Sequence, residues 1–246
     1  MATKRKQSQT LSLKGSTKIV TEFFEYSVNS ILYQRGVYPP EDFKQVKKYG
    51  LTLFTSADEA LERYISNVMK QVQAWILAGK LDSLALIIMN RDTREVVERW
   101  QFDIHVEEPP PSEGATAAGG EGKENEGTGL SPAAAPLKSK GEKTPEQVQK
   151  DIQDIMRQIT SSVTFLPSLE EKCTSPTFSL SLFARPTHVF TILTYAKKDT
   201  EVPKEWIDSD PHMILGNAEQ VKLRSFSTNR HKVQGLVAYR LGQDIL

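Results

Sequence analysis

Apolar residues recur at helical spacing from Ser12 to Arg35. Ile19, Val20, Phe23, Phe24, Val28, Ile31 and Leu32 form one wide stripe. Ser12 or Ser16 can cap the start, and Gly36 ends the helix ahead of Pro39 and Pro40. Residues 46 to 55, VKKYGLTLFT, suggest a short hairpin or an extended pair. The pattern then returns to helical spacing. Leu61, Tyr64, Ile65, Val68, Met69, Val72, Trp75 and Ile76 make a second stripe that stops at Gly79. Ser56 with Glu59 three residues on predicts a capping box at its start.

From Ser83 the period changes to that of strands. Ser83 to Met89 is almost wholly apolar, and Asn90-Arg91-Asp92-Thr93 supplies turn chemistry. Glu98 to Val106 alternates. Trp100, Phe102, Ile104 and Val106 fall on one face, and Arg99, Gln101, Asp103 and His105 on the other. This predicts a half-buried antiparallel strand. Thr144-Pro145-Glu146-Gln147 predicts a third helix, with Thr144 as cap, Pro145 at the first helical position and Gln147 closing a capping box. Val148, Ile152, Ile155, Met156 and Ile159 are its stripe. Apolar runs at 190 to 195 and 233 to 241 predict two more strands. Val237, Tyr239 and Leu241 share one face of the second.

Composition breaks the pattern once. Residues 107 to 146 contain no aromatic, Ile or Val, but hold 6 of the 13 prolines and 7 of the 14 glycines. Eight acidic residues face four lysines there. Such a segment cannot bury enough apolar surface to offset its ordering entropy, so a disordered insertion is expected. A lone hairpin is marginal, and the third helix lacks partners of its own. One α+β domain over 12–246, with the insertion inside it, is preferred to two domains.

Whole-chain charge narrows the function classes. Lys plus Arg and Asp plus Glu are each 31. A zero net charge argues against a chain that binds nucleic acid mainly through phosphates. The longest wholly apolar run, Leu84 to Met89, is too short to span a bilayer, and the N-terminal residues lack a signal peptide's apolar stretch. Cys173 is the single cysteine, which excludes an internal disulfide and fits a reducing compartment. His105, His188, His212 and His231 show no metal-ligand spacing. Gly119-Gly120-Glu121-Gly122-Lys123 lacks the Ser or Thr of a phosphate loop. No catalytic constellation, cofactor or metal site is expected, and Trp75, Trp100 and Trp206 read as packing residues.

Several long strings carry a resemblance. They are ILYQRGVYP at 31 to 39, KKYGLTL at 47 to 53, ERWQFDI at 98 to 104, RQIT with VTFLP at 157 to 167, and VKLRSFST, HKV and VAY within 221 to 239. They closely resemble the mitotic arrest-deficient HORMA family of the spindle assembly checkpoint. The resemblance implies a HORMA fold, three helices on a central antiparallel sheet with a mobile C-terminal clamp. It also implies a non-enzymatic adaptor with open and closed states, a peptide adding a strand to the sheet of the closed one.

The implied partners are a coiled-coil mitotic arrest-deficient kinetochore protein and the cell-division-cycle activator of the anaphase-promoting complex. An open–closed homodimer is implied too, without nucleic acid or membrane, in nucleus, kinetochore and cytoplasm. By the resemblance, peptide would lie along Phe190, Ile192, Leu193, Thr194 and Tyr195, clamped by Trp206 and by the segment reaching Val237 and Tyr239. Arg157, Gln158, Phe165 and Arg224 would form the dimer face. The alternative is a HORMA adaptor of the meiotic chromosome axis or of translesion synthesis.

Two departures from the family stand out. The insertion is longer than the family's loop and carries Lys123-Glu124-Asn125, which resembles a degron read by activators of the anaphase-promoting complex. Residues 175 to 189, SPTFSLSLFARPTHV, split the strand that receives the peptide. They read either as an in-frame retained intron or as a bulging loop.

Overall fold

The computed structural model describes residues 12–107, 143–169 and 187–241. Lys123-Glu124-Asn125, Cys173 and residues 175–186 lie outside them, as does most of the 107–146 segment.

Helix α1, Leu13–Gln34, is capped by Ser12, whose side chain accepts from Gly15 N at 3.1 Å. Gly36, at φ 61°, follows the Arg35 C-cap. Strands β1, Phe43–Lys48, and β2, Leu51–Ser56, form a separate two-stranded sheet. Tyr49 and Gly50, at φ 50° and 68°, make the two-residue turn whose twist suits a tight hairpin.

Helix α2, Glu59–Leu77, corrects the expected cap. Asp58, not Ser56, caps it, accepting from Leu61 N at 2.7 Å. Ser56 is still in β2, where its N–H donates to Asn29 Oδ1 at 2.8 Å. Helix α3, Pro145–Ser161, begins with the expected capping box of Thr144 and Gln147.

The main sheet has five antiparallel strands. They are β3 (Leu81–Asn90), β4 (Val96–Val106), β5 (His188–Ala196), β6 (Ala218–Ser227) and β7 (His231–Arg240), in the order β5-β3-β4-β7-β6. Strands from both sides of the 108–142 segment therefore share one sheet. β5 begins at His188, so His188 and Val189 belong to the strand, paired with Asn90 and Met89.

All three helices contribute to the core on one face of this sheet. Phe23 of α1 meets Phe102 edge-on at 5.6 Å and Phe226 at 4.9 Å. Trp100 and Phe102 are fully buried, as expected, but Val106 is exposed. The run Leu84–Met89 is apolar at every position because β3 is covered on both faces. Ala85, Ile87 and Met89 pack away from the helices, with Leu193, Tyr195 and Ile214 against them.

β6 is a strand the sequence pattern missed. Its register shifts between Lys222 and Ser225, so Leu223 and Arg224 together oppose Gly235 of β7. The bulge breaks strict alternation and brings Leu223 and Phe226, three apart, both inward. A Cβ on Gly235 would lie 2.8 Å from Leu223 Cδ1, so glycine makes room for the bulge.

The β6–β7 turn is anchored to two other parts of the chain. Glu107 N donates to Arg230 O at 2.8 Å, and Ser227 Oγ bonds the Glu107 carboxylate. Asn229 and Lys143 exchange two hydrogen bonds of 2.9 Å each. Beside them, His231 Nδ1 lies 2.6 Å from Ser16 Oγ, which is 2.5 Å from Thr228 Oγ1.

Burial pushes the His231 imidazole below its ordinary range, against a smaller pull upward from Glu107. The unfolded chain therefore takes up this proton first, near pH 6.5, and folding loses stability as pH falls below that value. The slope from one such group is at most about 1.4 kcal/mol per pH unit. Melting curves at pH 7.5 and 5.5 should show a larger fall for the native chain than for His231→Gln. Equal falls would mean that the site accepts the proton freely.

Candidate functional site

Among the described residues β5 is an edge strand, paired with β3 on one side only. Unpaired edges are ready templates for another strand. Burial pushes the Tyr64 phenol above its ordinary range, against a smaller downward pull from the Ile192 backbone.

Aromatic rings line the helix side of this edge. Phe190 meets Tyr38 at 6.0 Å and Tyr64 at 5.8 Å, both edge-on. Further along, Trp75 of α2 meets Trp206 at 5.0 Å. Burial also holds the Tyr38 phenol above its usual value, with Asp58 adding to it. Both phenols are neutral at ordinary pH.

Residues 197–217, which contain no helix or strand, connect β5 at one edge of the sheet to β6 at the other. They leave β5 with Lys197 N bonded to Lys80 O at 2.9 Å and an ion pair between Lys80 and Asp199. On the helix side, Glu201 O accepts from Trp75 Nε1 at 3.2 Å, and Trp206 packs on the same indole. The chain next appears on the opposite face. There Pro211 O accepts from Arg99 Nε at 3.4 Å and from the Tyr195 hydroxyl at 3.3 Å, and Ile214 packs on the face of β3. The connection therefore passes around the outer edge of β5. A cavity of about 350 Å³ lies between belt and edge, lined by Trp75, residues 192–198, Val202 and residues 206–210.

The cavity brings Ile192, Leu193, Thr194, Tyr195 and Trp206 together. Phe190 extends the edge beyond it, against Tyr38 and Tyr64. Val237 and Tyr239 do not line this cavity. They sit in β7, with β3 and β4 between that strand and β5. Val237 is fully buried opposite Trp100, and the Tyr239 hydroxyl donates to Glu219 Oε2 at 2.7 Å. Their direct work is to hold the hairpin to β4.

Tyr64, Trp75, Arg99 and Pro211 were missed as site residues. In the sequence Tyr64 is one member of the α2 stripe, and only the structure shows it 41% exposed.

The second group is also partly assembled. Gln158 Oε1 accepts from Arg224 N at 2.8 Å, and Asp154 Oδ2 accepts from Arg224 Nη1 at 2.9 Å. Arg157 is mostly exposed, 3.7 Å from Asp154. Phe165, just past α3, is exposed beside Val163 in the sequence. Among the described residues, no group of three or more His, Cys, Asp or Glu could hold a metal, and no helix is long and apolar enough to cross a membrane.

A belted, unpaired edge on a sheet backed by three helices defines a class. The chain belongs to the HORMA domain family, which it matches over residues 16–231. It is 45% identical over 231 residues to the mitotic spindle checkpoint component mad2 of Schizosaccharomyces pombe, covering 94% of each chain. It is 38% identical to the human mitotic spindle assembly checkpoint protein MAD2A, covering 98% of this chain and 98% of that one. Among solved structures it is similar to a chain of the mitotic checkpoint complex. The TM-score is 0.69 and the identity 41%, over 92% of this chain and 99% of that one. A further likeness, at TM-score 0.65 and 11% identity, is to Caenorhabditis elegans HTP-2 bound to a closure motif, over 94% of this chain and 92% of that one. It shows the shared fold.

Proposed function

We propose that the chain is a spindle assembly checkpoint adaptor that captures a peptide along β5 under the 197–217 belt. Its targets are the cell-division-cycle activator of the anaphase-promoting complex and the coiled-coil mitotic arrest-deficient protein of the kinetochore. Capture of the activator delays anaphase, and the chain works in nucleus, kinetochore and cytoplasm. Peptide would add backbone hydrogen bonds to the β5 edge and side-chain contacts to the aromatic side, the mode of strand addition. The observation that carries this reading is the unpaired edge enclosed by its own chain.

The chain alternates between this arrangement and an open one, in which the β6–β7 hairpin moves to the β5 edge and occupies the peptide's place. Two packings of one chain can differ by only a few kcal/mol. Fluorescence anisotropy with labelled peptides from the two checkpoint partners tests the proposal. Both are expected to bind and to compete for one site. A chain that ignores both, but takes a meiotic-axis or translesion-polymerase peptide, would place it in the alternative branch of the fold.

Open and closed copies would pair through Arg157, Gln158, Phe165 and Arg224. Arg157 is free enough to meet a partner, whereas Arg224 is tied to Asp154. Arg157→Glu sets a second carboxylate beside Asp154 and should weaken self-association at least ~10-fold, close to the 1.4 kcal/mol that such a factor represents. Sedimentation at graded concentrations reads this directly. Unchanged self-association would leave Arg157 a solvated helix charge.

A further inference from the structure

The belt has to be fastened after it rounds the edge, because residues 197–217 contain no helix or strand. On the helix side the fastening is Trp75 with Glu201 and Trp206. At the entry to β6 it is Leu241 N on Asn217 O at 3.1 Å. Between them, on the far face, stands a compact polar cluster around one carbonyl. Pro211 O accepts from Arg99 Nε at 3.4 Å and from the Tyr195 hydroxyl at 3.3 Å. Arg99 Nη2 in turn donates to the Tyr195 oxygen at 2.9 Å, and the guanidinium lies 5.7 Å from the Tyr195 ring centre. Gln101 holds the remaining arm of the fork.

This cluster is not an incidental surface contact. Arg99 is only 6% exposed, although strand alternation puts it on the face opposite the helices. It is buried because the belt covers it. Its fork is rigid and planar, so one side chain can reach two acceptors at fixed angles. Pro211 cannot donate a backbone hydrogen bond, so at this residue the main chain is tied through its carbonyl. The next residue, His212, sits at φ 45°, a left-handed conformation that a non-glycine residue keeps only when its surroundings hold it.

We propose that Arg99 and Tyr195 form a clasp on Pro211 that fixes the belt after its crossing and sets the residence time of a captured peptide. The proposal rests on the peptide-capture reading. Arg99 is a positioning residue in this respect, acting on peptide through the belt, while Tyr195, which also lines the cavity, adds its hydroxyl to the same clasp. A peptide lying between β5 and residues 206–210 cannot move outward until that segment lifts. The clasp therefore governs release, while the encounter depends on other features of the surface. This matches the general rule that affinity differences within one interface fall mainly on dissociation.

The test has a peptide-free arm and a peptide arm. In the peptide-free full chain, amide hydrogen exchange of residues 212–217 should be faster in Arg99→Ala, Arg99→Lys and Tyr195→Phe than in the native chain. Gln101→Ala, which leaves the contacts to Pro211 in place, should exchange as the native chain does. In the peptide arm, a labelled peptide from the coiled-coil kinetochore partner is bound and chased. The same three variants should release it roughly tenfold faster, with association rates within about twofold of native. Tyr195→Phe removes one hydroxyl and keeps the ring, so it stays informative if Arg99→Ala folds poorly. Native exchange and native release in Tyr195→Phe and Arg99→Lys would overturn the clasp. A native chain that binds no checkpoint peptide would overturn the functional reading, while the exchange arm would still decide the clasp.

Discussion

Arg35→Ala is expected to lower the unfolding free energy by about 3–5 kcal/mol, the usual cost of leaving one partner of a buried ion pair alone. Glu98 is 1% exposed in β4, facing the helices. Arg35 Nε donates to its Oε1 at 2.7 Å, and Trp100 Nε1 donates to Oε2 at 3.0 Å. Burial pushes the carboxyl above its usual range, and Arg35 and Trp100 pull it back. Without Arg35 the carboxylate keeps the Trp100 donor in an apolar interior. The Pro167 carbonyl loses its bond to Arg35 Nη2 as well, which unties the segment after α3. Urea denaturation gives the number. The double variant Arg35→Met, Glu98→Gln removes both charges and should cost less than Arg35→Ala. The reverse order would mean that the pair is not an electrostatic unit.

Val237→Asp should have the second large effect, and a different one. Val237 is fully buried in β7, directly opposite Trp100 of β4 and Val221 of β6. A carboxylate there has no partner, and an unpaired buried charge costs several kcal/mol. The chain can avoid that cost locally by letting the β6–β7 hairpin leave β4. The expected result is a protein that keeps most of its helical circular dichroism but is cut by trypsin at Lys232 and Arg240. Its peptide retention should fall at least ~100-fold, because the belt loses its far anchor. Val237→Thr, similar in shape and uncharged, should fall between this variant and the native chain. A protease-resistant Val237→Asp protein with native retention would show that the hairpin is not what holds the belt.

The helices were readable because their signals are local. Thr144, Pro145 and Gln147 state a helix start within four residues, and the structure forms that capping box. Ser56 and Asp58 were harder to separate, since either can cap. The hydrogen bond from Ser56 N to Asn29 of α1 decides between them, and that contact spans 27 positions. β6 escaped because its bulge is accommodated by Gly235, on the neighbouring strand. Arg99 was placed on a solvent face by alternation, which cannot see that residues distant in the chain return to cover it. The edge residues Phe190 to Tyr195 came from likeness to a family. Nothing in their own pattern tells an edge strand from a central one.

The end of β6 and the turn after it, Ser227–Arg230, grip both Glu107 and Lys143, the residues on either side of the 108–142 segment. Both ends of that segment are thus pinned by folded structure. A flexible loop closed between fixed ends pays only about 0.6 kcal/mol of entropy for each doubling of its length. A lineage that changes the length of chain between Glu107 and Lys143 therefore leaves those two anchors themselves unaltered.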